Sequence, residues 1–286
     1  MSIGPDEQER DLLRRVNSRH RLWSHADAVT VLARRVESTT FAIGGCIVRH
    51  ADGDAVSREA TLLAALASAG AVLVPTPLVH EAALGVLITR RLPGTPVIGR
   101  VRRDPGSLPR ALIETLIALR RIGGSVGLPA DPYPNDLWHA DAVEQFRAVR
   151  GQLPGERIRL LEEFLEAAPP PTRTGTVPQH NDLGAEHVLV DDAGRVTGIV
   201  DWADAALADP ARDLGSIFRD FGENVARGVA AGLGIAVTEA EFRRIVFHAR
   251  CKWIEDVAFA VQDPERRADY LANADRTFAH TFAATR

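Results

Sequence analysis

Cysteine, lysine, tyrosine and methionine are all scarce in this chain. Its two cysteines, Cys46 and Cys251, stand 205 positions apart, which excludes a disulfide framework and a zinc-ligand spacing and fits a reducing compartment. Lysine occurs once, at Lys252, against 33 arginines. Apolar runs such as 60–67 are far shorter than the roughly 18 residues a membrane span needs. The opening MSIGPDEQERDLL is charged and lacks the apolar stretch of a secretory leader, so a cytoplasmic protein is expected. The net charge of −4 argues against a nucleic-acid partner, which calls for a basic face. No nucleic acid and no membrane are expected as partners, and the oligomeric state is left open. Neither G-x-G-x-x-G nor G-x-x-x-x-G-K-[ST] occurs, so a dinucleotide fold and a P-loop are both unsupported. A G-x-S-x-G string does occur at Gly123–Gly127, but that nucleophile elbow requires a strand before it and a helix after it. Here a helical stretch precedes it and Pro129, Pro132 and Pro134 follow. A serine hydrolase is rejected on that context, and the segment reads as a helix stop leading into a loop.

What is present is ordinary globular composition: 286 residues, 45% apolar and 25% charged, enough for one large domain or two lobes. The chain changes character near residue 93. Residues 5–19 read as an amphipathic helix opening at Pro5, followed by β-favouring runs at 28–33, 39–43 and 46–50, with Gly44-Gly45 as a hairpin turn. Ser57 is placed to cap a helix that ends at Gly70, and two further apolar runs lie at 72–74 and 85–89. The turn residues of 91–96 mark a boundary, giving segments 1–93 and 94–286. Beyond it the helical period dominates at 108–122, 137–150, 155–167 and from 212 onward. Charge is uneven as well: residues 1–94 hold 11 basic and 10 acidic groups, the remainder 23 and 28.

One non-helical island, 177–209, interrupts the helices. Runs 187–190 and 196–200 read as strands joined by a turn at 191–194. This hairpin sets Asp182 and His187 before its first strand and Asp201 at the end of its second, so the three side chains are expected to converge. Phosphoryl transfer needs such a set, with one carboxylate to accept a hydroxyl proton and two ligands for magnesium on the nucleotide phosphates. The string His180-Asn181-Asp182 with His187 five residues on matches the spacing of a kinase catalytic loop.

With Asp201-Trp202 and the run Asp209 to Leu214, the island resembles the aminoglycoside phosphotransferase family, including its macrolide phosphotransferase branch. The resemblance implies an α+β, two-lobed protein-kinase-like fold with a small β-rich N-lobe and a larger, mainly helical C-lobe. It implies ATP- or GTP-dependent phosphorylation of a small-molecule hydroxyl, an antibiotic or a similar metabolite, with Mg2+. Asp182 would be the base, and His187 and Asp201 the metal ligands. His187 departs from the Asn most kinases carry there, and imidazole suits softer metals than magnesium. In the N-lobe, Arg49 falls where a strand lysine would grip phosphates, and Glu59 opens the following helix as its partner. Ser38, Thr39 and Thr40, between two strands, could offer hydroxyl and N–H groups to phosphate. The 88–92 segment, with Thr89 and Arg91, resembles the interlobe hinge that meets the purine. Acids in the C-terminal helices, Glu255 and Asp256 with Asp220 and Glu223 three apart on one face, suggest a cationic acceptor. The alternative is a pseudokinase-like nucleotide-binding module without catalysis.

Overall fold

The computed structural model describes residues 4–35, 38–51, 53–70, 73–98, 107–131 and 133–282. The chain forms two compact units, one of Met1–Pro93 with Gly198–Ala203, the other of Gly94–Thr197 with Asp204–Arg286. None of the described helices is long and apolar enough to cross a membrane.

The first unit opens with α1 (Glu7–His20). A capping box starts it: the Asp6 carboxylate accepts the Glu9 N–H at 2.9 Å, and the Glu9 carboxylate accepts the Asp6 N–H at 2.8 Å. Both donors would otherwise be orphaned in the first turn, so the helix begins two residues after Pro5. Then follow β1 (Val29–Arg34), β2 (Ser38–Ile43), β3 (Cys46–Ala51), α2 (Ala55–Ser68), β4 (Pro77–Glu81) and β5 (Val86–Arg90). The strands make one antiparallel sheet in the order β1-β2-β3-β5-β4. Leu13 and Val16 of α1 share a core with Phe41, Ile43, Val48, Val86 and Ile88. Ile43 pairs directly with Cys46 across Gly44-Gly45, and Gly44 takes the positive φ of 54° that the two-residue turn requires.

Two expectations are corrected here. Ser57 does not cap α2; Asp54 precedes the helix, and the Ser57 hydroxyl instead lies 3.1 Å from His80 Nε2. No strand covers 73–74, Val72 lies outside the described residues, and the strand comes later, at β4. Pro77 opens it without cost, because β4 is an edge strand and its first residue owes no N–H to a ladder.

The second unit holds β6 (Thr95–Pro96), α3 (Ser107–Ile122), α4 (Asn135–Val149), α5 (Gly155–Glu166), β7 (Val177–Gln179), β8 (Val188–Val190) and β9 (Val196–Ile199). After these come β10 (Ala206–Ala208), α6 (Ala211–Phe221), α7 (Glu223–Gly232), α8 (Glu239–Val261) and α9 (Ala268–Phe282). The last residues of β9 belong with the first unit. Helix α8 packs on α4, α6 and α9. Phe146, Leu161, Phe164, Phe247, Trp253, Ile254 and Phe282 form the core around it. Gly215 lets α6 approach α8 closely, since a Cβ there would meet the His248 Cβ at 2.7 Å.

Candidate active site

Strand β7 pairs antiparallel with β10 and delivers the chain into the loop 180–187. The loop is held from below by Asp213 in the first turn of α6. Its two carboxylate oxygens accept the backbone N–H groups of His180 and Asn181 at 2.9 and 2.8 Å. Burial pushes the Asp213 carboxyl up to about 6, against those two hydrogen bonds, which favour its charged form. Asn181 takes a left-handed φ of 72°, a conformation Asn tolerates better than most residues and one concentrated at functional sites. Its amide donates to Asp131 at 2.8 Å and accepts from Arg212 at 3.2 Å. Arg212 also pairs with Asp131 and donates to the Tyr133 carbonyl at 2.6 Å.

Asp182 follows on this braced turn. Lys252 Nζ of α8 lies 3.1 Å from its Oδ1, and the His187 ring nitrogen Nδ1 lies 2.7 Å from its backbone oxygen. A carbonyl can only accept, so Nδ1 carries the proton and, in the neutral ring, Nε2 carries the lone pair. Burial alone would raise the Asp182 carboxyl. The charges of Lys252, His187 and His180 outweigh it and hold the group well below the usual carboxylate range. Burial would likewise lower the Lys252 ammonium, but Asp182 and Glu255 raise it above an ordinary lysine. Asp182, Glu186 and His187 bring one ligand atom each to within 4.8 Å of one another. Two carboxylates and an imidazole can hold a divalent cation; the carboxylates suit magnesium, and the imidazole is better matched to a softer ion.

In the first unit, Arg49 of β3 lies 3.3 Å from Glu59 of α2 and 3.2 Å from Asp201. Asp201 also lies 3.4 Å from Arg35 and takes a positive φ of 60°. Its segment is tied down by Ile199 N–H donating to the Leu73 carbonyl at 2.7 Å and by the buried Trp202, whose indole N–H donates to the Ile199 carbonyl at 2.9 Å. Ser38, Thr39 and Thr40 are not in a connection between strands. They lie inside β2, paired to β3 on one side, with Thr39 and Thr40 also paired to β1 on the other. β-Branched threonines favour that extended state, and the ladders engage their backbone. Thr89 is buried in β5, and Arg91 follows that strand with its N–H donating to the Gly45 carbonyl at 2.9 Å.

The sequence pattern of the phosphotransferase enzyme family matches residues 9–246. The chain belongs to that family. A viomycin phosphotransferase from Streptomyces vinaceus is 31% identical over 206 residues, 65% of this chain and 70% of that one. The GDP complex of aminoglycoside 2'-phosphotransferase-IIIa superposes with a TM-score of 0.66 at 18% identity, covering 96% of this chain and 99% of that one. Spectinomycin phosphotransferase, in complex with ADP and spectinomycin, gives 0.64 at 14% identity over 96% and 98% of the two chains. The α+β, two-lobed protein-kinase-like fold of these enzymes is the fold of this chain, with its N-terminal antiparallel sheet and helical C-terminal region.

Within this phosphotransferase frame the four C-terminal acids separate. Asp220 and Glu223 do not share a helical face, because Gly222, at φ 83°, ends α6 and Glu223 opens α7. Asp220 is buried, and its carboxylate accepts from Arg219, Asn273 and the Ala185 N–H, the last at 2.7 Å. Asp256 is buried beside the same guanidinium at 2.9 Å. Both are engaged by Arg219, which is 1% exposed. Burial outweighs that guanidinium at Asp256 and pushes its carboxyl up. At Asp220 the same burial is overcome by Arg219, Asn273 and the Ala185 N–H, which hold the carboxyl down, so Asp220 carries the countercharge. Glu223 accepts from Arg227 one turn on, at 2.6 Å. Glu255 lines a cavity of about 130 Å³, together with Tyr133, Trp138, Asp141, Gln145 and Cys251. Sequence reasoning passed over Lys252, Glu186 and the Asp131–Arg212 brace. The singularity of Lys252 was the one available signal; Asp131 and Arg212 are 81 residues apart, and no spacing pattern joins them.

Proposed function

We propose that the chain transfers the terminal phosphoryl group of ATP or GTP to a hydroxyl of a small organic molecule, with Asp182 as the base. The observation that supports this most is the loop itself. Asp182 is fixed at both its carboxylate and its backbone oxygen, on a turn anchored by Asp213, within a phosphotransferase family. An ionised carboxylate so held orients the acceptor hydroxyl and takes its proton as the new P–O bond forms. Arg49, steadied by Glu59, would bind nucleotide phosphate, and its planar fork gives a directed contact in place of lysine's point charge. His187 and Asp201 are assigned as ligands of Mg2+ from the family resemblance of their positions, and Glu186 is a further candidate because it clusters with Asp182 and His187. The cation would neutralise charge on the phosphates.

For the acceptor we favour a polyhydroxylated, amine-bearing antibiotic or a metabolite like it. Asp141 and Glu255 share their cavity with Tyr133 and Trp138, and carboxylates and aromatic rings together suit a cationic group. Viomycin, kanamycin and spectinomycin are the acceptors to test first, since the relatives named above and a kanamycin complex of the same fold bear those names. The decisive experiment measures nucleotide turnover and product phosphate with these acceptors for wild type and Asp182→Asn. Loss of about 10²–10⁴-fold in rate, with nucleotide binding intact, is the expected outcome. Near-normal turnover would remove Asp182 from the reaction. Nucleotide binding by wild type with no transfer to any hydroxyl would leave a nucleotide-binding module instead.

A further inference from the structure

The only lysine among 286 residues stands against the proposed base. In a chain that meets every other cationic need with arginine, a lysine marks a place where a compact, tetrahedral ammonium serves and a broad planar fork does not. Lys252 Nζ lies 3.1 Å from Asp182 Oδ1 and 3.1 Å from Glu255 Oε2, one turn along α8. It also lies 5.4 Å from the centroid of the Trp138 ring. The Lys252 side chain is 14% exposed, that of Asp182 21% and that of Glu255 41%, so the bridge runs from a sheltered carboxylate to one open to solvent.

We propose that Lys252 is a positioning residue for phosphoryl transfer: its ammonium fixes Asp182 through Oδ1 and so presents Oδ2 to the acceptor hydroxyl. The inference rests on the phosphotransferase reading above. The loop holds the Asp182 carbonyl through His187, and the preceding His180 and Asn181 N–H groups through Asp213. At the carboxylate, His187 Nδ1 stays 3.7 Å from Oδ2, beyond hydrogen-bond reach, so the side-chain torsions need a further constraint. Lys252 supplies that constraint from a different element, a 23-residue helix packed on α4, α6 and α9. Glu255 and the Trp138 ring meet the same ammonium nitrogen in turn, so it reaches Asp182 from a fixed direction. Misplacing a reacting group by about 1 Å can cost roughly 10²-fold in rate, and that sets the expected size of the effect.

The test compares wild type with Lys252→Met, Lys252→Gln and Lys252→Arg in full steady-state kinetics against the best acceptor. Lys252→Met and Lys252→Gln should lose about 10²-fold in kcat while the nucleotide KM stays within about twofold. Lys252→Arg, which keeps the charge, should recover part of the loss. A second readout uses the single lysine: ¹⁵N labelling at Nζ gives one side-chain resonance from the whole protein. That resonance should move on Asp182→Asn and on Glu255→Gln, and in the wild type on adding acceptor. A kcat within threefold of wild type in a folded Lys252→Met protein overturns the proposal and leaves the phosphotransferase reading standing. So does an Nζ resonance indifferent to Asp182→Asn. A wild-type protein that transfers phosphate to no acceptor sinks the phosphotransferase reading and the proposal with it.

Discussion

His248 stands one turn before Lys252 on α8, 1% exposed, and neither of its ring nitrogens has a hydrogen-bond partner among the described residues. Its ring meets Trp138 and Phe247 edge-on at 5.6 and 5.2 Å. Burial, helped by the charges of Arg212, Lys252 and Arg244, pushes the imidazole down to about 3. An unfolded chain protonates the same ring near 6.5. The unfolded state therefore binds the extra proton first, so the stabilisation is complete above pH 6.5 and is lost as pH falls from there toward 3. At about 1.4 kcal/mol per pH unit, the loss is on the order of 2 kcal/mol between pH 6.5 and pH 5. Urea unfolding at pH 7.5 and pH 5 should show wild type losing about that much more than His248→Leu. Equal losses would mean that the folded protein accommodates the charged ring.

Among the elements, Gly123 explains the string that imitates a nucleophile elbow. It ends α3 at a point where a Cβ would lie 2.2 Å from the Pro178 ring in β7. Ser125 is no nucleophile; its hydroxyl donates to the Ile122 carbonyl at 2.7 Å and closes the helix end. Gly123→Ala should cost about 1–3 kcal/mol by overpacking, read as a lower urea midpoint at unchanged m-value. Ser125→Ala should leave transferase activity as it is, and a dead Ser125→Ala enzyme would reopen the hydrolase reading. The longer elements were legible in the sequence because their periods are long enough to see: α3, α4 and α5 follow from apolar spacing, and β2, β3 and β5 from short β-branched runs. Strands β7 and β10 were not, since three residues carry no alternation and Pro178 argues against a strand unless that strand is itself a sheet edge, as β7 is. The Asp220–Glu223 pairing failed on Gly222, whose positive φ breaks the helix that spacing alone would continue. At the site, Asp182 and His187 were visible as a spaced string. Lys252 reaches Asp182 across 70 residues, and only folding makes that contact.

For the whole molecule, nucleotide binding should appear as stability. A ligand bound only by the folded state stabilises by about 2.7 kcal/mol at 100 times its Kd, which for a chain of this size raises Tm by roughly 4–5 °C. Calorimetry suits the question because the chain has two compact units, and the transition that moves reports which of them the ligand holds. Arg49 belongs to the first unit and Asp182 to the second. If Arg49 grips phosphate and Asp182 handles only the acceptor hydroxyl, the two substitutions must separate. Arg49→Ala should abolish the rise in Tm given by ADP or GDP with Mg2+, and Asp182→Asn should keep most of it. Running both nucleotides side by side also chooses the purine, since the true substrate's diphosphate gives the larger rise. Omitting Mg2+ should reduce the rise if His187 and Asp201 ligate a cation on the phosphates, and Asp201→Ala should make the two conditions alike. An Arg49→Ala protein still stabilised by nucleotide to the wild-type extent would reduce the Arg49–Glu59 pair to a structural ion pair and place phosphate recognition elsewhere in the chain.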